Sequence, residues 1–482
     1  MTQITKATAP SIFLPPKFNL WVLRISNWLL PYWLKYKLQI SQIDVVDIDR
    51  LVEVYKQSQM GKFRLLLTFR HPSSDDYFCL GYVLTIGLPA AAKKHGIVLE
   101  SPIFAHFLYE REDSSWVGKI VSWLYCRLGG IPIDRGQADY RAGTPGEQLG
   151  LETARNLLVN SHLPLAMSPE GRSNGYSELV SPLESKAAQI GFWAMDDLVN
   201  AGRTEDVFIV PIGIQYHYLD EPWVNLENLL YQLELKCGSI VDRHDSLVSI
   251  FQRDGRPMRK LLYDRFYHVC QQILFQIENF YGHFYHYEIP ERPPGGEAIS
   301  RTEISQRLQS LLDSALEVSE GYFNLEPIGT RIDRCRRIEQ AGRDWIYREE
   351  FTSPQNLSAI GRKLADRIVT EADLRMWHMR IVESLIAVTG SYVKDNPTIE
   401  RFAEITLLLW DLVAQIEGEK PSPRPMLGNR RAQITICNPI PISDYWDRYI
   451  SSRSEARQTV ADLTQELQTA MEGTIDRDTD RR

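Results

Sequence analysis

The chain has 482 residues, 44% of them hydrophobic and 24% charged, with a formal net charge of −8. That composition is ordinary for a globular protein, the length suits two or three domains, and the acidic balance argues against a general nucleic-acid binder. No uninterrupted apolar run reaches the roughly 18 residues that a membrane-spanning helix needs, so none is expected.

The N-terminal stretch Leu20–Leu38 is rich in aromatic residues, with Trp21, Trp28, Tyr32, Trp33 and Tyr36. Arg24, Asn27, Pro31 and Lys35 recur at three or four residues and line one narrow face of a helix. Such a helix fits the head-group layer of a membrane, with its aromatic rings at the boundary. The alternative is a helix packed on the protein's own core. Pro31 is expected to divide it into two pieces. A signal peptide fits poorly, because Arg24 interrupts the apolar region and no small-residue cleavage site follows.

Phe63 to Arg70 forms an apolar run that reads as a buried strand, ended by the turn formers Pro72-Ser73-Ser74. Asp75 to Leu88 reads as a helix. Between them stand His71 and Asp76, five residues apart. A histidine and a carboxylate at a strand-to-helix turn make a base and its orienter, because the carboxylate fixes the imidazole tautomer and stabilises the protonated ring. Among 10 histidines the spacing can also arise by chance, with the aspartate merely capping the helix.

Three later segments sit at predicted strand ends, where open α/β sheets place ligand sites. After the apolar run Trp116–Leu128, which suits either a bilayer or acyl-channel contact or ordinary core, comes Gly129-Gly130-Ile131-Pro132-Ile133-Asp134-Arg135. Ser168-Pro169-Glu170-Gly171-Arg172-Ser173 follows the run Leu163–Met167. Val210-Pro211-Ile212-Gly213-Ile214 continues the run Val207–Val210.

In this order the four segments resemble the glycerophospholipid acyltransferase family, of the bacterial lysophosphatidate acyltransferase type. The family pattern is N-H-x-S-x-x-x-D, G-x-I-F-I-D-R, F-P-E-G-T-R-S and V-P-V-A/G-I, its first motif holding the His-x4-Asp core. The chain departs from it at Arg70 (usually Asn), Pro132 (usually aromatic) and Ser168 (usually Phe). It also lacks the threonine between Gly171 and Arg172. The resemblance spans roughly residues 60 to 240.

The resemblance implies transfer of a fatty acyl group from acyl-CoA or acyl carrier protein to a lysophospholipid hydroxyl, with lysophosphatidate as the default acceptor. His71 is then the general base and Asp76 its orienter. Arg135 binds the acceptor's phosphate, for which a guanidinium fork is suited, and Arg172 is a second candidate. Glu170 pairs with a basic group or bonds the acceptor, Gly171 lets backbone amides approach the ligand, and Gly130 completes the substrate-binding set. For Arg135 and Glu170 a structural ion pair is the competing reading. No cofactor beyond the donor thioester, no metal and no nucleic-acid partner is implied. The expected location is the cytoplasmic face of a membrane, peripheral or monotopic. No Gly-x-Ser-x-Gly elbow is present, and the six cysteines (Cys79, Cys126, Cys237, Cys270, Cys335, Cys437) are isolated in sequence. His283 and His286 read as part of an aromatic helix end rather than a metal pair.

From about Gly255 to Ile289 a helical stripe runs through Leu262, Phe266, Val269, Ile273, Ile277 and Phe280. Pro290–Gly296 is a loop, and Ile304, Leu308, Leu311 and Ala315 mark another helix. Arg431–Cys437 alternates like a strand and precedes a polar helix from about Ser454 to Met471.

The expected fold is therefore α/β, a mixed open sheet flanked by helices like that of the glycerolipid acyltransferases, with an N-terminal amphipathic helix and a large additional helical region. The expected divisions are an interfacial segment 1–58, an acyltransferase domain 59–245, a helical region 246–428, and a strand plus helix 429–482. Whether the chain returns to the sheet at 431–437, or the sheet closes earlier at Tyr231–Cys237, stays open. Other acceptors (glycerol-3-phosphate, another lysolipid, a non-phosphate alcohol) and a catalytically silent lipid-binding scaffold remain as alternative functions.

Overall fold

A computed structural model describes residues 6–8, 13–110, 116–133, 145–171, 173–238, 256–291, 299–352, 358–386, 398–418 and 424–475. The chain divides into two units, one of residues 12–219 with 429–482, the other of 1–11 with 220–428.

The first unit is built on an eight-stranded sheet: β1 (Ile40–Val46), β2 (Phe63–Phe69), β3 (His106–Glu110), β4 (Ile131–Ile133), β5 (Leu165–Met167), β6 (Asp206–Tyr218), β7 (Arg430–Ile436) and β8 (Ile440–Pro441). The order is β1-β7-β6-β2-β5-β3-β4, with β8 paired to β6. All pairings are parallel except those of β6 with β7 and β8.

The strand β2 is buried on both faces, which is why its sequence is apolar almost throughout. Leu65 and Leu67 join one core with Leu51, Val52 and Tyr55 of α2 (Ile48–Gln59) and Leu80 of α3 (Asp76–Tyr82). Leu66 points the other way, into a core with Leu158 of α6 (Pro145–Asn160) and Phe192 of α7 (Lys186–Asn200). The helix expected over 75–88 begins at Asp76, passes through a π-helical turn at Val83–Gly87 and continues as α4 (Leu88–Lys94).

The N-terminal segment is not separate from this unit, because Ile40–Val46 supplies the sheet's edge strand. Before it, α1 (Leu20–Tyr32) is capped by Asn19, whose side chain accepts from the Trp21 and Val22 amides. Pro31 lies inside α1 and does not divide it. The helix instead widens into a π-helical turn at Trp33–Lys37.

The strands β6 and β7 form a hairpin in which Tyr218 faces Arg430 and the Leu219 amide donates to the Asn429 carbonyl at 2.9 Å. Residues 220–428 are therefore inserted in the connection between the two strands of a hairpin. Tyr231–Cys237, whose alternation suggested a closing strand, lies in and just after α8 (Trp223–Lys236), where Leu226, Leu229, Leu230 and Leu233 are buried at helical spacing. After β7 and β8 come α14 (Ser443–Ser451) and α15 (Arg453–Glu472). Leu463 and Leu467 of α15 join the core of α6 and α7. A Cβ at Gly213 of β6 would overlap Thr474, so the glycine permits the chain's close approach there.

The second unit holds α8, α9 (Arg256–Tyr285), α10 (Arg301–Phe323), α11 (Arg331–Ile346), α12 (Ala359–Ile386) and α13 (Ile399–Ile416). The stripe from Leu262 to Ile277 is buried as its spacing implies. Ion pairs join its helices, each at 2.7 Å: the buried Arg307–Glu278 and Arg334–Glu320, and Arg265–Glu234, whose arginine is partly exposed. The Tyr281 hydroxyl and His378 Nδ1 form a buried hydrogen bond of 2.7 Å.

Among the described residues no helix is long and apolar enough to cross a membrane.

Candidate active site

The strands β2 and β5 are neighbours and parallel, with Thr68 opposite Met167. Three residues beyond each lie His71 and Glu170, at the C-terminal edge of the sheet where ligand sites form. The His71 backbone amide donates to Glu170 Oε1 at 2.8 Å. This bond and that from the Ser173 hydroxyl to the Pro72 carbonyl, at 2.9 Å, join the first and third sequence motifs.

His71 and Asp76 meet as their spacing implies. The distance from His71 Nδ1 to Asp76 Oδ2 is 3.0 Å, with His71 8% exposed and Asp76 fully buried. The turn is held by the Ser73 amide, which donates to the same Asp76 oxygen at 2.9 Å, and by the Ser73 hydroxyl, which accepts from the Asp75 amide. The Tyr77 ring stands edge-on to the imidazole, centroids 5.2 Å apart. Burial pushes the Asp76 carboxyl above the ordinary carboxylate range, opposed by hydrogen bonds from His71, Tyr216 and Ser73 that favour the anion.

Tyr216, on β6, donates its hydroxyl to Asp76 Oδ1. Burial, followed by the Asp76 charge, raises the phenol well above its ordinary pKa, so it stays a donor. Cys79 lies against the same hydroxyl at 3.5 Å, its thiol also pushed up by burial. Arg430 donates to Asp75 Oδ2 at 2.7 Å and lies over the Tyr216 ring, 5.0 Å from its centroid. Sequence reasoning missed Tyr216 and Arg430. Neither belongs to a motif, and they stand 140 and 355 residues in sequence from their partners Asp76 and Asp75.

Glu170 is tied to the protein at both oxygens. Besides the His71 amide it accepts from the Ser181 amide at 2.9 Å and the Asn174 side chain at 3.1 Å, and its Oε1 lies 3.7 Å from Arg70 Nε. This is the ion-pair reading of Glu170. Arg70 is fully buried and donates to the carbonyls of Tyr176, Ser177 and Leu179. It thereby holds the loop after Glu170 in place. Gly171 has φ of +75°, a conformation that favours glycine.

Gly130 is buried, and a Cβ there would crowd the Tyr109 ring and overlap the Tyr125 carbonyl, whose backbone leaves no room for it. Its neighbour Gly129 has φ of +82° and accepts from His106 Nδ1 at 3.0 Å. Burial lowers the His106 pKa, which suits the neutral ring that bridges Gly129 and Ser161. This glycine pair is packed into the protein's frame. Asp134, Arg135 and Arg172 lie outside the described residues. Among the described residues no cluster of three or more His, Cys, Asp or Glu side chains is placed to hold a metal ion.

On the same unit, α1 exposes Trp21, Ile25, Trp28 and Tyr32, and the π-helical turn after it exposes Tyr36, spaced to form one stripe, with Trp21 and Trp28 each 70% exposed. α5 (Trp116–Arg127) exposes Ile120, Val121 and Trp123. The Lys17 and Asn19 amides donate to the carbonyls of Cys126 and Arg127, tying the approach to α1 to the end of α5.

No protein-family model, curated protein or solved structure matches this chain.

Proposed function

We propose that the sheet unit is a membrane-surface O-acyltransferase that moves a fatty acyl group from a thioester donor, acyl-CoA or acyl carrier protein, to the hydroxyl of a lysophospholipid. The observation that carries this reading is the buried His71–Asp76 pair at the C-terminal edge of a mostly parallel sheet. The resemblance of the four motifs to the glycerophospholipid acyltransferases points to the same chemistry.

Asp76 keeps a proton on Nδ1, so Nε2 is the ring's basic nitrogen. Nε2 takes the acceptor's hydroxyl proton as the oxygen bonds to the thioester carbonyl carbon. The tetrahedral intermediate collapses by breaking the C–S bond, and the imidazolium returns its proton to the departing thiolate. An ester and a free thiol result, with nothing oxidised or reduced. General-base assistance supplies on the order of 10²–10⁴ in rate, so substrate positioning supplies much of the remainder.

Lysophosphatidate is the acceptor we favour, with Arg135 and Arg172 assigned to its phosphate by the motif resemblance. The aromatic stripe of α1 and the exposed face of α5 support work at a lipid surface, where amphipathic rings settle at the boundary.

The test is product formation in lipid vesicles by wild-type and His71→Ala protein. Labelled acyl-CoA and acyl carrier protein would be offered against lysophosphatidate, glycerol-3-phosphate and neutral lysolipids. Wild-type product on one acceptor, reduced at least a hundredfold in a folded His71→Ala protein, is the expected result. Equal activity of the two proteins would remove His71 as the base. No product on any pairing would favour the silent lipid-binding scaffold.

A further inference from the structure

Asp76 accepts hydrogen bonds from His71 Nδ1, the Ser73 amide and the Tyr216 hydroxyl. The first two are local to the 71–76 turn, and the third arrives from β6. The Tyr216 ring in turn lies under the Arg430 guanidinium, which also donates to Asp75 and to the Leu38 carbonyl at 3.1 Å. Arg430 is the first residue of β7, immediately after Asn429, which closes the hairpin holding the helical insertion.

We propose that Tyr216 and Arg430 are positioning residues for the acid–base pair. Tyr216 fixes the far oxygen of the Asp76 carboxylate, and Arg430 braces Tyr216 and the 71–76 turn from the strand on which the chain returns from its insertion. The kinetic consequence rests on the acyltransferase reading; the geometry does not.

The groups facing the pair determine what removing the Tyr216 hydroxyl does. Tyr77 and Cys79 come from α3, Asp75 from the turn, Glu170 and Arg70 from the ends of β5 and β2, Tyr216 from β6 and Arg430 from β7. His71 and Asp76 titrate as one coupled pair. With no proton to share, the pair is neutral imidazole plus carboxylate, and the carboxylate depends fully on its remaining donors. With one proton, the pair is either an imidazolium beside the carboxylate or a neutral acid, and both need the Tyr216 hydroxyl less. Loss of that hydroxyl therefore raises the pair's apparent pKa whichever partner carries the proton.

Tyr216→Phe makes the test, because it removes the hydroxyl and keeps the ring beneath Arg430. Titration of His71 followed by NMR in full-length protein with labelled histidine should show its midpoint rise by on the order of one pH unit. The acidic limb of kcat/KM should move upward by the same amount. Arg430→Met should lower kcat at least tenfold with KM nearly unchanged, and Arg430→Lys should restore part of the loss. Arg431→Met on the same strand, whose partner is Asp44, is the control and should leave the pH profile unmoved.

An unchanged or lowered His71 midpoint in folded Tyr216→Phe would overturn the role of Tyr216. Arg430→Met with wild-type kcat would overturn that of Arg430. The NMR titration needs no turnover, so a raised midpoint without acyl transfer would support the network while the functional reading failed. Turnover with an unmoved pH profile would do the reverse.

Discussion

The amide of His71 and the carboxylate of Glu170 are joined by a hydrogen bond of 2.8 Å, each residue lying three positions past the paired Thr68 and Met167. The site is thus assembled across two parallel strands, and the imidazole's place depends on a side chain 99 residues away in sequence.

Glu170→Gln tests that dependence. An amide cannot serve all the donors that Glu170 now satisfies, and it leaves the buried Arg70 charge without its counter-ion. Breaking a buried pair by removing one partner costs on the order of 3 kcal/mol. Urea unfolding should show a loss of about that size, and kcat should fall at least tenfold as the His71 backbone shifts. Wild-type stability together with wild-type kcat would mean that Glu170 neither braces Arg70 nor places His71.

The exposed rings of α1 lead to a second expectation. Trp21 and Trp28 are each 70% exposed, so replacing both with serine should change stability by roughly 0.5 kcal/mol or less. If the stripe enters lipid, each indole contributes about 1.5–3 kcal/mol of burial, and vesicle affinity should drop about tenfold or more per ring. Sedimentation with anionic vesicles reads this directly. Equal binding of the double variant and wild type would assign the stripe to something other than a membrane.

The helical unit should weaken in mild acid through His378. Burial pushes this imidazole down to about 4, the Arg375 charge adding to the effect. The unfolded value is about 6.5, so between the two the unfolded chain binds a proton that the folded chain does not. Stability is therefore full above about pH 6.5 and falls as the pH is lowered towards 4. The full contribution is on the order of 3 kcal/mol. His378→Asn keeps an acceptor for the Tyr281 hydroxyl and removes the titration. Urea unfolding at pH 7 and pH 5 should show a pH-dependent loss in wild type about 2 kcal/mol larger than in the variant. Identical pH dependence would show that His378 titrates alike in both states.

The site's local half was legible in the sequence. His71 and Asp76 lie within one turn, so strand, turn and helix signals suffice to bring them together. Long apolar runs marked β2 and β6 because both faces of those strands are covered. A seven-residue window over Tyr231–Cys237 misled, since its alternation is overruled by the helical spacing of Leu226, Leu229, Leu230 and Leu233. The sequence by itself thus determined the composition of the strands, the meeting of His71 with Asp76 and the presence of a large helical region. Only the tertiary structure decided that β7 lies between β1 and β6, that the helices interrupt a hairpin, and that Tyr216 and Arg430 reach the 71–76 turn. The physical reason is that periodicity reports which face of an element is buried. Which strand it pairs with, and in what register, follows from packing among residues hundreds of positions apart.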